Sequence, residues 1–312
     1  MTEPSINNRE LTGHPEVPKT MRGIFEMRNR VTLFFQRVLL ATVATVGALM
    51  MPAPASAQAV CPPTINACGC IITAPGSYKV GLNINSTQGL TPAGACIEVA
   101  SSFVILDGAK KTITGPGGTT PTGIGIWVHH NLSTDFLEFR GTVISGWDVG
   151  LLIQGRQIVA DDVSANTNGT AGVELYKANS IELTNTTAEH NLNYGIWLKQ
   201  TSYSDVSNSN TQSNGNIGLY VGCSDIGPIS AECPEVSGSA GNYIFTGNIT
   251  GNANYGVALD IGANNTIVTN QTPGGGTNSK DDLFDANSSC GSNKWFGDAS
   301  TATNNQPGGC IK

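Results

Sequence analysis

A four-residue core, Gly-aliphatic-x-aliphatic, returns along this chain at nearly constant spacing, and that recurrence constrains the fold more than any other feature. It reads Gly125-Ile126-Trp127-Val128, Gly150-Leu151-Leu152-Ile153, Gly172-Val173-Glu174-Leu175, Gly195-Ile196-Trp197-Leu198, Gly218-Leu219-Tyr220-Val221 and Gly256-Val257-Ala258-Leu259. Successive glycines are 25, 22, 23, 23 and 38 residues apart. A period of this size marks a solenoid, whose units cannot bury their apolar faces alone and stack on their neighbours. Alternation of apolar and variable positions inside each unit indicates strands. The expected fold is therefore all-β, a right-handed parallel β-helix solenoid, the hand following the general preference of parallel crossovers.

Side chains alternate across a strand, so each unit sends two aliphatics inward and one variable residue outward. Coils stacked about 4.8 Å apart turn each inward position into a ladder. One ladder is Ile126, Leu151, Val173, Ile196, Leu219 and Val257; its neighbour is Val128, Ile153, Leu175, Leu198, Val221 and Leu259. Buried parallel strands favour such Val, Ile and Leu residues. Asparagines precede the glycines at Asn168, Asn191/Asn193, Asn214/Asn216 and Asn252/Asn254. They are expected as turn formers whose amides bond to the next coil. The glycine is expected to let the chain turn without a Cβ clash.

The N-terminal part follows other rules. Arg28, Arg30 and Arg37 precede an apolar run, Val38 to Met51, and then Ala55-Ser56-Ala57. This is the pattern of a secretory signal peptide cut after Ala57. The run is shorter than the roughly 20 residues a spanning helix needs, so no transmembrane anchor is expected in the mature chain. Residues 1–57 are read as upstream extension and signal peptide, and 58–312 as one β-helix domain, secreted or periplasmic. All eight cysteines follow the cut, as befits disulfides in an oxidising compartment. Cys223 and Cys233 bracket the long interval before Gly256, and Cys290 and Cys310 bracket the tail. These two bridges are expected, the second closing a cap over about 283–312. Pairing among Cys61, Cys68, Cys70 and Cys96 stays open.

Of 16 Lys/Arg and 23 Asp/Glu, six and four lie before Gln58, which leaves the remainder at −9. An acidic surface does not neutralise phosphates, so nucleic acid is not an expected partner. Outward positions two residues after each glycine hold Trp127, Glu174, Trp197 and Tyr220; those four after hold His129, Tyr176, Lys199 and Asp260. Trp127, Trp197 and Tyr220 form an aromatic stripe suited to stacking against sugar faces, with Asp260 beside it as a further contact. Polysaccharide is accordingly the expected partner. Proton abstraction next to a carboxylate needs a base, an acid and a neutralising cation, and Glu174, Tyr176, Lys199 and His129 are the candidates. A structural solenoid presenting its face to a protein is the third alternative.

The segments Cys96-Ile97-Glu98-Val99, Phe103-Val104-Ile105-Leu106-Asp107-Gly108 and Ile113-Thr114-Gly115 resemble the opening coils of right-handed parallel β-helix proteins of the pectate-lyase-like superfamily. Asn191-Leu192-Asn193-Tyr194-Gly195-Ile196 resembles their Asn-x-x-Tyr-Gly-Ile repeat. The tail from Asp282-Leu283-Phe284-Asp285 through Cys290 and Trp295 to Cys310 resembles the closing segment of exported bacterial members. The resemblance implies a fold more than an activity. It also resembles alginate epimerases, a comparison that implies a lyase, epimerase or hydrolase, yet their Asp-Pro-His is missing here. Asp161-Asp162 resembles the paired acids of polygalacturonases without the accompanying Gly-His-Gly. A similarity to periplasmic copper-handling β-helices, such as those serving nitrous oxide reductase, would imply soft or imidazole ligands. Only three histidines follow the leader and no Met-rich or His-rich cluster occurs, so no resident metal is expected. Asp281, Asp282 and Asp285 are alternative Ca²⁺ ligands, although the resemblance assigns them to the closing of the last coil.

Overall fold

The computed structural model of the protein describes residues 58–129, 136–222, 239–260, 265–269, 278, 281–286 and 293–296. Two long sheets run the length of the coil stack, and every pairing within them is parallel. Sheet A has ten strands and begins with Ala59–Val60, Cys70–Ile72, Ala95–Val99 and Ile124–Val128. It continues through Val149–Ile153, Ala171–Tyr176, Tyr194–Lys199, Ile217–Val221, Tyr255–Leu259 and Asp281–Asp285. Sheet B alternates with it coil by coil and includes the long strands Leu137–Ser145, Arg156–Asn166, Asp205–Gln212 and Tyr243–Thr250. This is a parallel β-helix.

Register shows why the repeats stack. Ile126 pairs with Leu151, Leu151 with Val173, Val173 with Ile196, Ile196 with Leu219 and Leu219 with Val257. All six are at most 1% exposed. The neighbouring ladder, Val128 to Leu259, is buried in the same way. Each such side chain is worth about 1.5–3 kcal/mol relative to exposure, so the stack of coils, not any single coil, carries the stability.

The corners are left-handed turns at matched positions. Phe103, Phe136, Gln157, Ser180 and Tyr203 have φ between 52° and 58°, except Phe136 at 41°. Asp162, Asn185 and Asn208 form a second such set, and Thr167, His190 and Ser213 a third. The repeat glycines themselves do not have positive φ, which corrects their expected role as turn residues. Their reason is close approach: a Cβ on Gly195 would lie 2.5 Å from Gly218 O and 2.8 Å from Asn214 Nδ2. Gly172 is crowded likewise by Asn191 Nδ2 and Gly195 O.

The asparagines form a buried ladder. The Nδ2 of Asn168, Asn191, Asn214 and Asn252 donates in turn to Oδ1 of Asn191, Asn214, Asn252 and Asn278, at 2.9–3.2 Å. Backbone N–H groups of the same residues donate to the same oxygens. The run ends where Asn278 Nδ2 donates to Asp282 Oδ1 at 2.8 Å. A second ladder, Asn242 to Asn265 to Asn293, ends on Asp285. Asp282 and Asp285 are thus buried ladder terminators, and Trp295 Nε1 also donates to Asp285. These bonds take up carboxylate oxygens that the Ca²⁺ expectation had assigned to a metal. The side chain of Asp281 lies outside the described residues.

Disulfides Cys61–Cys70 and Cys68–Cys96 staple the first coils and settle the pairing that spacing left open. Cys68 and Cys70 take different partners. Cys223, Cys233, Cys290 and Cys310 lie outside the described residues, as does the leader.

Candidate functional site

The outer face of sheet A is where the outward residues were expected to form an exposed stripe. Register places Glu98, Trp127, Leu152, Glu174, Trp197, Tyr220, Ala258 and Phe284 in one column. Their side is as expected, but their exposure is not. Trp197 is 1% exposed, Tyr220 0% and Asp260 3%. Alternation fixes which side of a sheet a residue takes; it does not decide whether water reaches that side. Here the rings pack into a second apolar cluster with Ala171, Tyr194, Ile217 and Ala258. Tyr194 lies 4.8 Å from Trp197 and 5.2 Å from Tyr220, centroid to centroid. Their polar handles are satisfied: Trp197 Nε1 donates to Gly222 O at 2.9 Å, and Tyr220 Oη donates to Asp260 Oδ2 at 2.5 Å.

The residues expected to act together divide into two groups. Tyr176 pairs with Lys199, and Glu174 with Trp197, in adjacent strands. Lys199 Nζ lies 4.2 Å from the Trp197 ring centroid and 5.5 Å from that of Tyr176. Glu174 is buried; Tyr176 and Lys199 are half-buried. His129 belongs elsewhere, two strands before Tyr176 in sheet order. One coil spacing is about 4.8 Å, so His129 does not join Glu174, Tyr176 and Lys199 in a single constellation.

His129 instead meets Glu98, which was not among the candidate site residues, and Trp127, which was. Its Nε2 lies 2.6 Å from Glu98 Oε1, and its ring stacks on Trp127 at 4.2 Å. Nε2 is buried, and this carboxylate is what faces it. Glu98 is 4% exposed, and its other oxygen accepts from Gln58 Nε2 at 3.1 Å. Trp127 Nε1 donates to Gln154 Oε1 at 3.0 Å, fixing the ring that backs the imidazole. Glu98 was legible as the outward residue of an earlier coil, since Cys96-Ile97-Glu98-Val99 aligns with Gly125-Ile126-Trp127-Val128. Among the described residues, no three His, Cys, Asp or Glu side chains gather as a metal-holding group.

Sheet B contributes charge on its outer side. Asp205 has its carboxyl pushed up, first by burial and then by the charge of Glu182 in the adjacent strand. Asp161 is held below the usual carboxylate range by hydrogen bonds from Asn185 and Thr184. Exposed aromatics occur at the corner between the sheets. Phe103 and Phe136 stack at 5.6 Å while remaining 56% and 48% exposed, and Tyr203 is 68% exposed.

Parallel coils, N-terminal disulfides and an outer-face histidine–carboxylate pair define an exported β-helix protein. The chain belongs to the family described as periplasmic copper-binding protein (NosD), which matches residues 64–227. Sequence reasoning had set such proteins aside for want of a histidine or methionine cluster; the repeat pattern is what the match covers. No curated protein and no solved structure matches the chain. Among the described residues no helix is long and apolar enough to cross a membrane.

Proposed function

We propose that the protein binds copper(II) in the periplasm through His129 and Glu98. The observation that carries this reading is the buried Nε2 of His129 set against a buried carboxylate oxygen of Glu98. Two donors bound at about 2 Å and at right angles to each other stand about 2.8 Å apart, close to the 2.6 Å between His129 Nε2 and Glu98 Oε1. Imidazole and carboxylate suit Cu(II), whereas Cu(I) favours thiolate and thioether. The four described cysteines are tied in disulfides, and all five methionines precede Pro52. The description of the family agrees with this reading. Trp127 gives a direct signal, because Cu(II) at His129 would quench the indole stacked on it. Titration of residues 58–312 with CuSO₄ should quench Trp emission, and His129→Ala should weaken binding about tenfold or more. Equal affinity in wild type and His129→Ala would defeat the proposal.

A second reading is an extended polysaccharide lying along the corner where sheet A passes into sheet B. Half-buried Gln154, Tyr176 and Lys199 stand just before that corner, and exposed Phe103, Phe136 and Tyr203 form it. Aromatic faces and polar edges on a ridged surface suit sugar stacking. Incubation with a panel of uronic-acid polymers tests it, Tyr203→Ala being expected to weaken capture without altering the fold. Turnover by Glu174, Tyr176 and Lys199 would appear as product absorbance, and inertness to the panel would leave a protein-docking solenoid.

A further inference from the structure

The corner between the sheets carries charge as well as rings. Register places Phe103, Phe136, Gln157, Ser180 and Tyr203 at one left-handed position of five successive coils. Coils rise about 4.8 Å each, so the row follows the axis for about 19 Å. Gln157 and Ser180 turn the same corner, so the fold needs no ring there, and bulky residues are outliers in this backbone region. Yet three of the five are aromatic and 48–68% exposed. Cations stand on the sheet A side of the row. Arg156 precedes Gln157 and Lys177 lies three residues before Ser180, both exposed; half-buried Lys199 lies four before Tyr203. We propose that this ridge docks the protein on an anionic lipid bilayer, the Phe103, Phe136 and Tyr203 rings entering between headgroups while Arg156, Lys177 and Lys199 meet lipid phosphates.

Copper plays no part in this contact, and the partner differs from the polysaccharide of the second reading. A sugar stacks on a free ring face, but Phe103 and Phe136 lie 9° from parallel and each covers a face of the other. Neither has a polar handle for hydroxyls. Amphipathic rings such as Tyr203 and long cationic stems settle at a membrane surface, with ring and stem in the apolar layer and polar tip in water. Lys177 Nζ and Lys199 Nζ lie 5.2 and 5.5 Å from the Tyr176 centroid, which keeps the two charges in one patch. Segments 154–157, 176–180 and 199–203 contain no Asp or Glu. The acids on the sheet B side, Glu138, Glu182 and Asp205, are all half-buried, and Glu138 has Arg140 beside it at 3.5 Å. The most exposed charge at this corner is therefore positive, although residues 58–312 carry −9. Charges farther off are screened within about 10 Å at ordinary salt. The family is periplasmic, and the periplasm is bounded by bilayers.

The test is sedimentation of the mature exported protein with vesicles of phosphatidylglycerol and phosphatidylethanolamine, and with vesicles of phosphatidylcholine alone. Two double variants, Phe103→Ser/Phe136→Ser and Arg156→Gln/Lys177→Gln, are measured beside it once circular dichroism shows them folded. The second changes only exposed side chains and serves alone if the first does not fold. Wild type is expected to bind the anionic vesicles about tenfold or more tightly than the phosphatidylcholine vesicles. Each double variant should lose about tenfold in affinity for them, and added salt should release the protein. Equal binding to both vesicle types, or full binding by the charge variant, overturns the inference, and so does no binding to either. Retention by a uronic-acid polymer without vesicle binding also overturns it and leaves the polysaccharide reading standing.

Discussion

Sheets A and B come from the same coils, share one aliphatic interior and run in the same direction, yet their outer faces differ. On A the outward positions of the middle coils hold Tyr194, Trp197, Ile217, Tyr220 and Ala258, all buried, with half-buried Trp127, Tyr176 and Lys199 beside them. On B the corresponding outward positions hold Glu138, Arg140, Asp161, Glu182, Asp205 and Ser207, exposed or half-buried. An inner face must be apolar because coil stacking removes it from water. An outer face is free to be either, so its composition records what lies against it. The difference teaches that sheet A has a second packing surface and sheet B has an open one.

The sharpest way to break this comparison begins with what the sheets share. Ile196→Asp under sheet A should unfold the domain, since an unpaired charge in an aliphatic ladder costs several kcal/mol. Loss of the cooperative thermal transition in circular dichroism would show it; a stably folded Ile196→Asp variant would mean the ladder is not the core. The outer faces should then part. Trp197→Ala removes a 1% exposed ring and should cost about 3–5 kcal/mol by denaturant unfolding. Ser207→Ala on the outside of sheet B should stay within about 0.5 kcal/mol. Similar effects at the two positions would erase the distinction drawn between the faces.

The smallest effect is electrostatic. Burial and Glu182 raise the folded-state pKa of Asp205, so its carboxyl favours folding while protonated. That contribution is complete below the unfolded pKa near 3.8 and is lost as pH climbs through the raised folded value. Asp205→Asn should therefore raise the melting temperature slightly at neutral pH and leave it nearly unchanged in acid. A destabilised Asp205→Asn variant at neutral pH would show that the charge makes a partner's bond there instead.

Much of this architecture was legible because it is periodic. The glycine interval and the two aliphatic ladders gave the register residue by residue, from Ile126 to Val257. Most of the first asparagine ladder was also visible, because Asn168, Asn191, Asn214 and Asn252 each sit four residues before a repeat glycine; Asn278, four residues before Asp282, was not. The second was not, since Asn242, Asn265 and Asn293 have no glycine core to mark them and Ser204 takes the place of an earlier member. The candidate site was least legible. His129 looked like a companion of Tyr176 and Lys199 because all three share an offset from glycine. Equivalent offsets place residues in one column at different heights, and height decides contact. Glu98 and Gln58 lie in coils that lack the glycine core, so the repeat did not draw attention to them.

The asparagine ladder has a consequence for how such a chain can change over time. Asn191 and Asn214 are 23 residues apart, and Asn214 and Asn252 are 38 apart, yet the amide bond is 3.0 Å in both steps. The fold counts coils, not residues. Extra sequence can enter between two anchors without disturbing the anchors, provided it leaves the helical path at a corner and returns to the same rung. Lineages can therefore lengthen, shorten or exchange the excursions independently, each a separate trial of a new surface on an unchanged spine. A deletion inside a rung is not equivalent. It would pull the asparagine that follows off the rung of its predecessor and break the ladder at that step, so the same molecule is permissive at its corners and intolerant along its axis.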